Sequence, residues 1–153
     1  MAHIEKSIHI DAPVEAVFEY SGTIATIPEW YTSMIEVRNA SGPRAAAGVK
    51  YDWTFKMAGA RFDGKAEFTE VVPNDHTRSR TEGGIPSQWH WRYAREQEGT
   101  RVTATVDYTV PGSLLGKLMD MLFIERRNER DLEHALENLK AHCEVAAKAL
   151  AKA

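Results

Sequence analysis

The sequence predicts an α+β fold: a curved, seven-stranded antiparallel sheet wrapped around one long C-terminal helix, with two short helices between strands 1 and 2. Apolar and polar residues alternate through most of residues 34–110, and turn residues recur at short intervals. Short turns force successive strands to pair antiparallel. Residues 113–150 contain no proline, and a sheet with one apolar face needs such a helix to cover it. We expect residues 1–153 to form one domain, since domains typically have roughly 100–200 residues.

The N-terminal part predicts one strand followed by the two short helices. In residues 3–11 the isoleucines share one parity, as in a half-buried strand. Asp11 followed by Pro13 is a helix-start signal, and Gly22 ends that helix. A second short helix is predicted from Thr23.

Six further strands follow, separated by turns such as Pro73-Asn74-Asp75 and Gly83-Gly84. Most of them place their large apolar residues on one face. The six predicted strands are residues 34–40, 48–58, 61–72, 76–82, 87–95 and 101–110.

The C-terminal helix is predicted from about residue 113 to residue 150, with Ser113 as its N-cap. Such a helix would be about 57 Å long at 1.5 Å per residue. It is the one predicted element long enough to cover the apolar face of the sheet.

Composition excludes several functional classes. The net charge is −3 and no long Lys/Arg block occurs, so we expect no nucleic-acid partner. The single cysteine, Cys143, permits neither an intrachain disulfide nor a Cys-rich zinc site, and no HExxH motif is present. We therefore expect no metal and no cofactor.

The sequence also contains no apolar run of the ~20 residues that a membrane-spanning helix needs. The N-terminal segment MAHIEKSIHI does not resemble a secretory signal. We expect a cytoplasmic protein without stable membrane insertion, either a monomer or a homodimer.

Several segments together resemble the SRPBCC superfamily, whose START-like fold is the helix-grip fold. Within it the chain most resembles the polyketide cyclase/dehydrase and lipid-transport family. The resemblance covers nearly the whole chain and rests on residues 8–18 (IHIDAPVEAVF), 27–30 (IPEW), 70–73 (EVVP), 89–91 (WHW), 99–103 (GTRVT) and 135–140 (ALENLK). It implies a largely apolar cavity between the sheet and the long helix, which in members of the family binds lipids, polyketides or aromatic compounds. These motifs mark the fold and are not a catalytic signature.

The predicted ligand-binding residues are mainly aromatic side chains on the apolar parity of the strands. A packed core is the simpler interpretation of any one of them, but Trp and Tyr carry polar groups that a dry core must satisfy. Hydroxyl side chains on one parity of residues 76–82, Thr77 among them, could orient a polar group of the ligand. The predicted set is Tyr51, Trp53, Phe55, Met57, Phe68, Ser79, Thr81, Trp89, Trp91, Tyr93, Tyr108, Leu122, Glu125 and Glu129.

Two carboxylates, Glu125 and Glu129, are the candidate catalytic residues. Leucines at steps of three and four residues along the C-terminal helix predict a buried stripe, and both glutamates fall within it. A buried charge needs pairing or water. Three explanations would account for the two glutamates. The cavity contains water, a glutamate pairs with Arg126 or with an arginine of the sheet, or helix drift rotates one glutamate outward.

Binding or transport of a small hydrophobic molecule is the leading functional hypothesis. The alternative is an enzyme of the cyclase, aromatase or dehydratase type with a cavity carboxylate or tyrosine as acid/base, and a third is an interaction module with a vestigial cavity. For the first, we expect a cavity of several hundred Å³ lined by the tryptophans of the sheet. We expect its mouth at residues 24–31, which include an exposed-looking Trp30-Tyr31 pair, and at the 58–61 turn.

Overall fold

The fold is that of a computed structural model, which describes residues 2–115 and 120–151. Seven strands and four α-helices follow one another in chain order, with one 3-10 turn at Ile24–Thr26. They are β1 (Ala2–Ile10), α1 (Val14–Gly22), α2 (Ile27–Trp30), β2 (Met34–Arg38), β3 (Lys50–Met57), β4 (Ala60–Val72), β5 (His76–Gly83), β6 (Ser87–Glu96), β7 (Gly99–Tyr108), α3 (Gly112–Leu115) and α4 (Met121–Ala151).

All seven strands form one antiparallel sheet in the order β1-β7-β6-β5-β4-β3-β2. The β1–β7 pairing joins strands distant in sequence, because β1 precedes the short helices. In the tight turn between β3 and β4, Ala58 and Gly59 both have positive φ, as in a two-residue hairpin turn that matches strand twist. The predicted helix-grip fold is confirmed.

The long helix differs from the prediction at its N-terminal end. Asp120 precedes α4, and its Oδ1 accepts a hydrogen bond from the backbone N–H of Phe123 at 2.6 Å. Asp120 is therefore the N-cap of α4, and Ser113 instead lies inside the separate helix α3. The continuous helix predicted from residue 113 is wrong at Asp120, and residues 116–119 lie outside the described residues.

The buried stripe of α4 also differs from the prediction. Counted back from Leu132, the stripe continues through Asn128 and Ile124 in two four-residue steps, whereas the predicted stripe continued to Glu129 in a three-residue step. That choice rotates the stripe by about 100°. As a consequence, Leu122, which was predicted to bind ligand in the cavity, is 54% exposed and lies on the outer side of α4.

Polar contacts attach α4 to β1 along its length. The Lys6 ammonium lies 2.9 Å from the Glu133 carboxylate, and Lys140 Nζ donates to the backbone carbonyl of His9 at 2.9 Å. The first turns of α4 consequently lie at the end of the sheet where β1 begins and β7 ends.

Candidate functional site

Two adjacent cavities lie between the sheet and the helices that cover it. Lobe 1 has a volume of about 60 Å³, and α4 borders it through Asn128 and Leu132. Lobe 2 has a volume of about 70 Å³ and is bordered by Ser21 of α1 and Trp30 of α2. The two lobes share part of their walls and form one divided interior.

Most of the predicted ligand-binding side chains line these lobes, and their part in binding remains a prediction. Lobe 1 is lined by Trp53, Phe55, Met57 and Tyr108, lobe 2 by Tyr51, Phe68, Ser79, Trp91 and Tyr93, and both by Thr81 and Trp89. Thr77 also lines lobe 2.

Glu125 and Glu129 line neither lobe, so their predicted position in the cavity is wrong. The Glu129 carboxylate is 43% exposed and lies 3.6 Å from Lys6 Nζ. Asn128 occupies the stripe position assigned to them and is 8% exposed. An amide can be buried with a single hydrogen-bond partner at far lower cost than a charge.

Tyr31 lines both lobes. Its ring packs edge-on against Phe55 at 5.6 Å and against Trp89 at 5.9 Å between ring centroids. Met34, Thr81 and Trp89 also line both lobes. The two lobes therefore have four lining residues in common.

Trp30 and Tyr31 were expected to be exposed, and both are buried, at 3% and 7% exposure. Trp30 packs edge-on against Trp91 at 5.4 Å. The signal in the sequence is the spacing of Ile27, Trp30 and Tyr31, which places all three on one face of a helical turn. Pro28 does not disrupt this turn, because α2 accommodates a proline in its first turn.

The cavity is smaller than the several hundred Å³ predicted. A volume of 60–70 Å³ per lobe corresponds to roughly five water-sized probes. The aromatic rings expected to line one large cavity instead pack against one another, with Trp89 and Trp91 stacked at 6.1 Å.

The polar groups of lobe 1 centre on Tyr108. Asn128 Nδ2 donates a hydrogen bond to Tyr108 Oη at 2.9 Å, which leaves the hydroxyl proton of Tyr108 free to be donated. Burial raises the pKa of Tyr108 above its ordinary value, and the nearby charges of Glu125 and Glu129 raise it further, while the bond from Asn128 opposes them. Tyr108 is therefore a neutral donor at pH 7.

The tyrosines that line lobe 2 are also neutral. Burial raises the pKa of Tyr51 to about 12 and that of Tyr93 further. Ser21 donates to the backbone carbonyl of Val17, so Tyr93 donates its proton to Ser21 Oγ, 2.7 Å away. The lobes thus present apolar, hydroxyl and amide groups, all uncharged at neutral pH.

One glycine of the sheet makes room for an indole. A Cβ placed on Gly64 would lie 2.2 Å from Trp53 Cζ2 and 2.6 Å from the backbone oxygen of Glu82. The ring of Trp53 therefore lies directly over the β4 backbone. Its Nε1 is buried, as is that of Trp30, and neither has an acceptor within residues 2–115 and 120–151.

The family described as polyketide cyclase/dehydrase and lipid transport matches residues 1–144. The chain belongs to this family. It is also 24% identical over 139 residues to an uncharacterized 17.2 kDa protein of Streptomyces lincolnensis, covering 87% of this chain and 86% of that protein.

Solved structures of similar fold support the helix-grip assignment. The protein TTHA0849 from Thermus thermophilus aligns with a TM-score of 0.70 at 23% identity, over 92% of this chain and 99% of that one. The di-domain ARO/CYC StfQ from the steffimycin biosynthetic pathway aligns with a TM-score of 0.73 at 15% identity, over 99% of this chain and 52% of that one. At these identities the likeness shows the fold alone.

Within the described residues, no helix is both long and apolar enough to cross a membrane.

Proposed function

We propose that this protein binds and carries a small, neutral, hydrophobic molecule in the space formed when lobes 1 and 2 join. The observation that carries the proposal is that four residues line both lobes and that the lining of both lobes is uncharged. An uncharged, largely aromatic lining favours a ligand without formal charge, because burying an unpaired charge costs several kcal/mol or more.

Each lobe alone is too small for such a ligand, since ligand pockets typically have volumes of ~300–1,000 Å³. Binding therefore requires the Tyr31 ring to leave the wall. Tyr31 is the C-cap residue of α2, and the following turn leads directly into the edge strand β2. Displacement of this segment would join the lobes without breaking the central strands.

The buried indole N–H groups of Trp30 and Trp53 favour a ligand with an acceptor oxygen. A buried donor without a partner costs ~1–3 kcal/mol, and a ketone or hydroxyl oxygen of the ligand would remove that cost. Tyr108 offers a further donor in lobe 1.

Titration with a neutral solvatochromic dye, Nile red, tests the proposal. We expect saturable binding to the wild-type protein with quenching of tryptophan emission. Tyr31→Ala should bind the dye more tightly, because the ring no longer has to be displaced. Tyr20→Ala is the matched control, since Tyr20 stacks on His142 and lines neither lobe. A folded wild type and a folded Tyr31→Ala that both fail to bind the dye would favour the interaction module with a vestigial cavity.

The hydrogen-bonded pair of Tyr108 and Asn128 supports a second candidate, an enzyme of the cyclase or dehydratase type. The Tyr108 hydroxyl could donate to a ketone oxygen held in lobe 1 and polarise that carbonyl. The fold shared with the ARO/CYC StfQ is compatible with this role.

Water loss from a β-hydroxy ketone probe, followed by the absorbance of the enone, tests this candidate. Tyr108→Phe should retain Nile red binding and lose turnover, whereas Tyr20→Phe should keep both. A wild-type rate equal to that in buffer would remove this candidate and leave binding untouched.

A further inference from the structure

The outer face of the first turns of α4 combines exposed apolar side chains with arginines. Leu122 is 54% exposed and Phe123 is 50% exposed. Arg126, Arg127 and Arg130 lie beside them. We call this surface the basic-apolar face, and it comprises Leu122, Phe123, Arg126, Arg127 and Arg130.

The helix geometry places these five residues together. At 3.6 residues per turn they fall within an arc of about 140°, opposite the buried stripe that includes Ile124 and Asn128. With Asp120 they border one groove of about 310 Å³. The Asp120 carboxylate also accepts the capping hydrogen bond from Phe123, so the arginines dominate the charge that the groove presents.

In the part of the chain that the structure describes, the three arginines form no ion pair. Across residues 2–115 and 120–151, no carboxylate oxygen lies within 4.0 Å of their guanidinium nitrogens. The neighbouring acidic residues Glu129 and Glu133 both pair with Lys6 on the flank of the helix. These guanidinium groups are therefore available to an anionic partner.

We propose that the basic-apolar face docks reversibly on a bilayer that contains anionic lipids. Leu and Phe next to Arg on one side of a helix is the composition of surfaces that rest in the headgroup region. The arginines meet the lipid headgroups, and the two apolar side chains enter the boundary with the acyl chains. Anionic lipid attracts each basic residue enough for about a five-fold gain in partitioning.

A second copy of the chain fits this face poorly. A two-fold interface sets the same patch against itself, which here would bring three arginines against three arginines. A bilayer has no such conflict.

Docking in this orientation would bring the cavity close to the membrane. Asn128 and Leu132 line lobe 1 from the opposite side of the same turns of α4, so lobe 1 lies about one helix diameter, ~10 Å, from the docked surface. The proposal goes beyond ligand binding, and the two can fail independently.

Vesicle flotation with the full chain tests the proposal. Vesicles of phosphatidylcholine alone are compared with vesicles in which phosphatidylglycerol replaces part of it, at low and at physiological salt. We expect wild-type protein to float with the anionic vesicles and to be released by salt, since exposed charges are screened. Binding to neither kind of vesicle at low salt would overturn the proposal.

Two sets of variants identify the surface. Replacing Arg126, Arg127 and Arg130 by Gln should weaken binding up to about a hundred-fold, the product of three five-fold factors. The control replaces Arg44, Arg78 and Arg80, exposed arginines paired elsewhere, and changes the net charge equally. Equal loss in both triple variants would show non-specific attraction and contradict the proposal.

The double variant Leu122→Ser/Phe123→Ser tests the apolar part of the face. Its control is Val145→Ser/Leu150→Ser, because Val145 and Leu150 are 70% and 74% exposed near the other end of α4. Only the first pair should reduce flotation, and Nile red binding in solution should be unchanged in all variants. Sedimentation velocity provides the remaining test. A wild-type dimer that becomes monomeric in Leu122→Ser/Phe123→Ser would assign the face to self-association instead. Wild-type levels of vesicle binding in Leu122→Ser/Phe123→Ser would also contradict the proposal.

Discussion

Gly64 shows how one backbone position determines the shape of the cavity wall. Glycine in a strand interior usually weakens the strand, but here it admits the Trp53 ring over β4. A contact of this kind with the neighbouring strand leaves no trace in the local sequence pattern.

Gly64→Ala should lower the free energy of unfolding by about 2–4 kcal/mol, since overpacking and backbone shifts both follow from the added methyl group. Gly112→Ala is the control, because nothing lies within 4 Å of a Cβ at that position, and its change should stay within about 0.5 kcal/mol. Urea unfolding followed by tryptophan fluorescence measures both. Equal stability of wild type and Gly64→Ala would contradict the placement of Trp53.

His76 forms a pH-sensitive contact on the opposite side of the sheet. Its Nδ1 lies 2.6 Å from Asp75 and its Nε2 lies 3.2 Å from Glu70. Hydrogen bonds to these two carboxylates raise the pKa of His76 above its ordinary value, against a smaller effect of burial. The ring of His90 on β6 packs edge-on against His76, Arg92 is its cross-strand partner, and the guanidinium of Arg78 shares the Glu70 carboxylate.

A raised pKa in the folded state means that the folded chain binds the proton more tightly than the unfolded chain. The contribution of His76 is therefore fully present below the unfolded pKa of about 6.5 and is lost as pH rises through the folded value. His76→Asn should cost more stability near pH 6 than at about pH 8, as measured by thermal unfolding. A cost independent of pH would show that the imidazolium contacts contribute nothing.

At the scale of elements, the strands could be predicted and the start and rotation of α4 could not. Period-two alternation is a local signal, and β3, β4 and β6 follow it closely. Predicting the buried stripe of a helix requires a choice between steps of three and four residues. Asn128 is polar, so the sequence favoured the wrong step. Its burial is explained only by its hydrogen bond to Tyr108, which the fold creates. The N-cap Asp120 could not be predicted either, because the residues on both sides of it have a helical composition.

Asp120→Ala should destabilise the protein by about 1 kcal/mol, the usual cost of losing an N-cap. Ser113→Ala should change stability much less, because Ser113 lies within α3 and caps no long helix. Thermal unfolding of the two variants side by side distinguishes the observed start of α4 from the one predicted from sequence. A larger loss in Ser113→Ala would contradict the observed start.

At the scale of the whole molecule, sequence was sufficient for the family, the sheet and most residues of the cavity wall. The sequence did not predict the volume of the cavity. The parity of a strand determines which face of the sheet each side chain occupies. Whether the aromatic rings on that face pack together or leave a cavity depends on their rotamers and on the position of α2. Tyr31 is the clearest case: it was expected to be exposed, and in the fold it is buried and lines both lobes.

The central claim is that a neutral hydrophobic molecule occupies the joined lobes. Native mass spectrometry of the protein purified from its own host tests this most directly. The account predicts a complex heavier than the free chain by the mass of one small uncharged molecule, and a larger bound fraction for Tyr31→Ala than for Tyr20→Ala. If only the free chain is found, and incubation with neutral hydrophobic compounds adds no mass to wild type or to Tyr31→Ala, the account is contradicted.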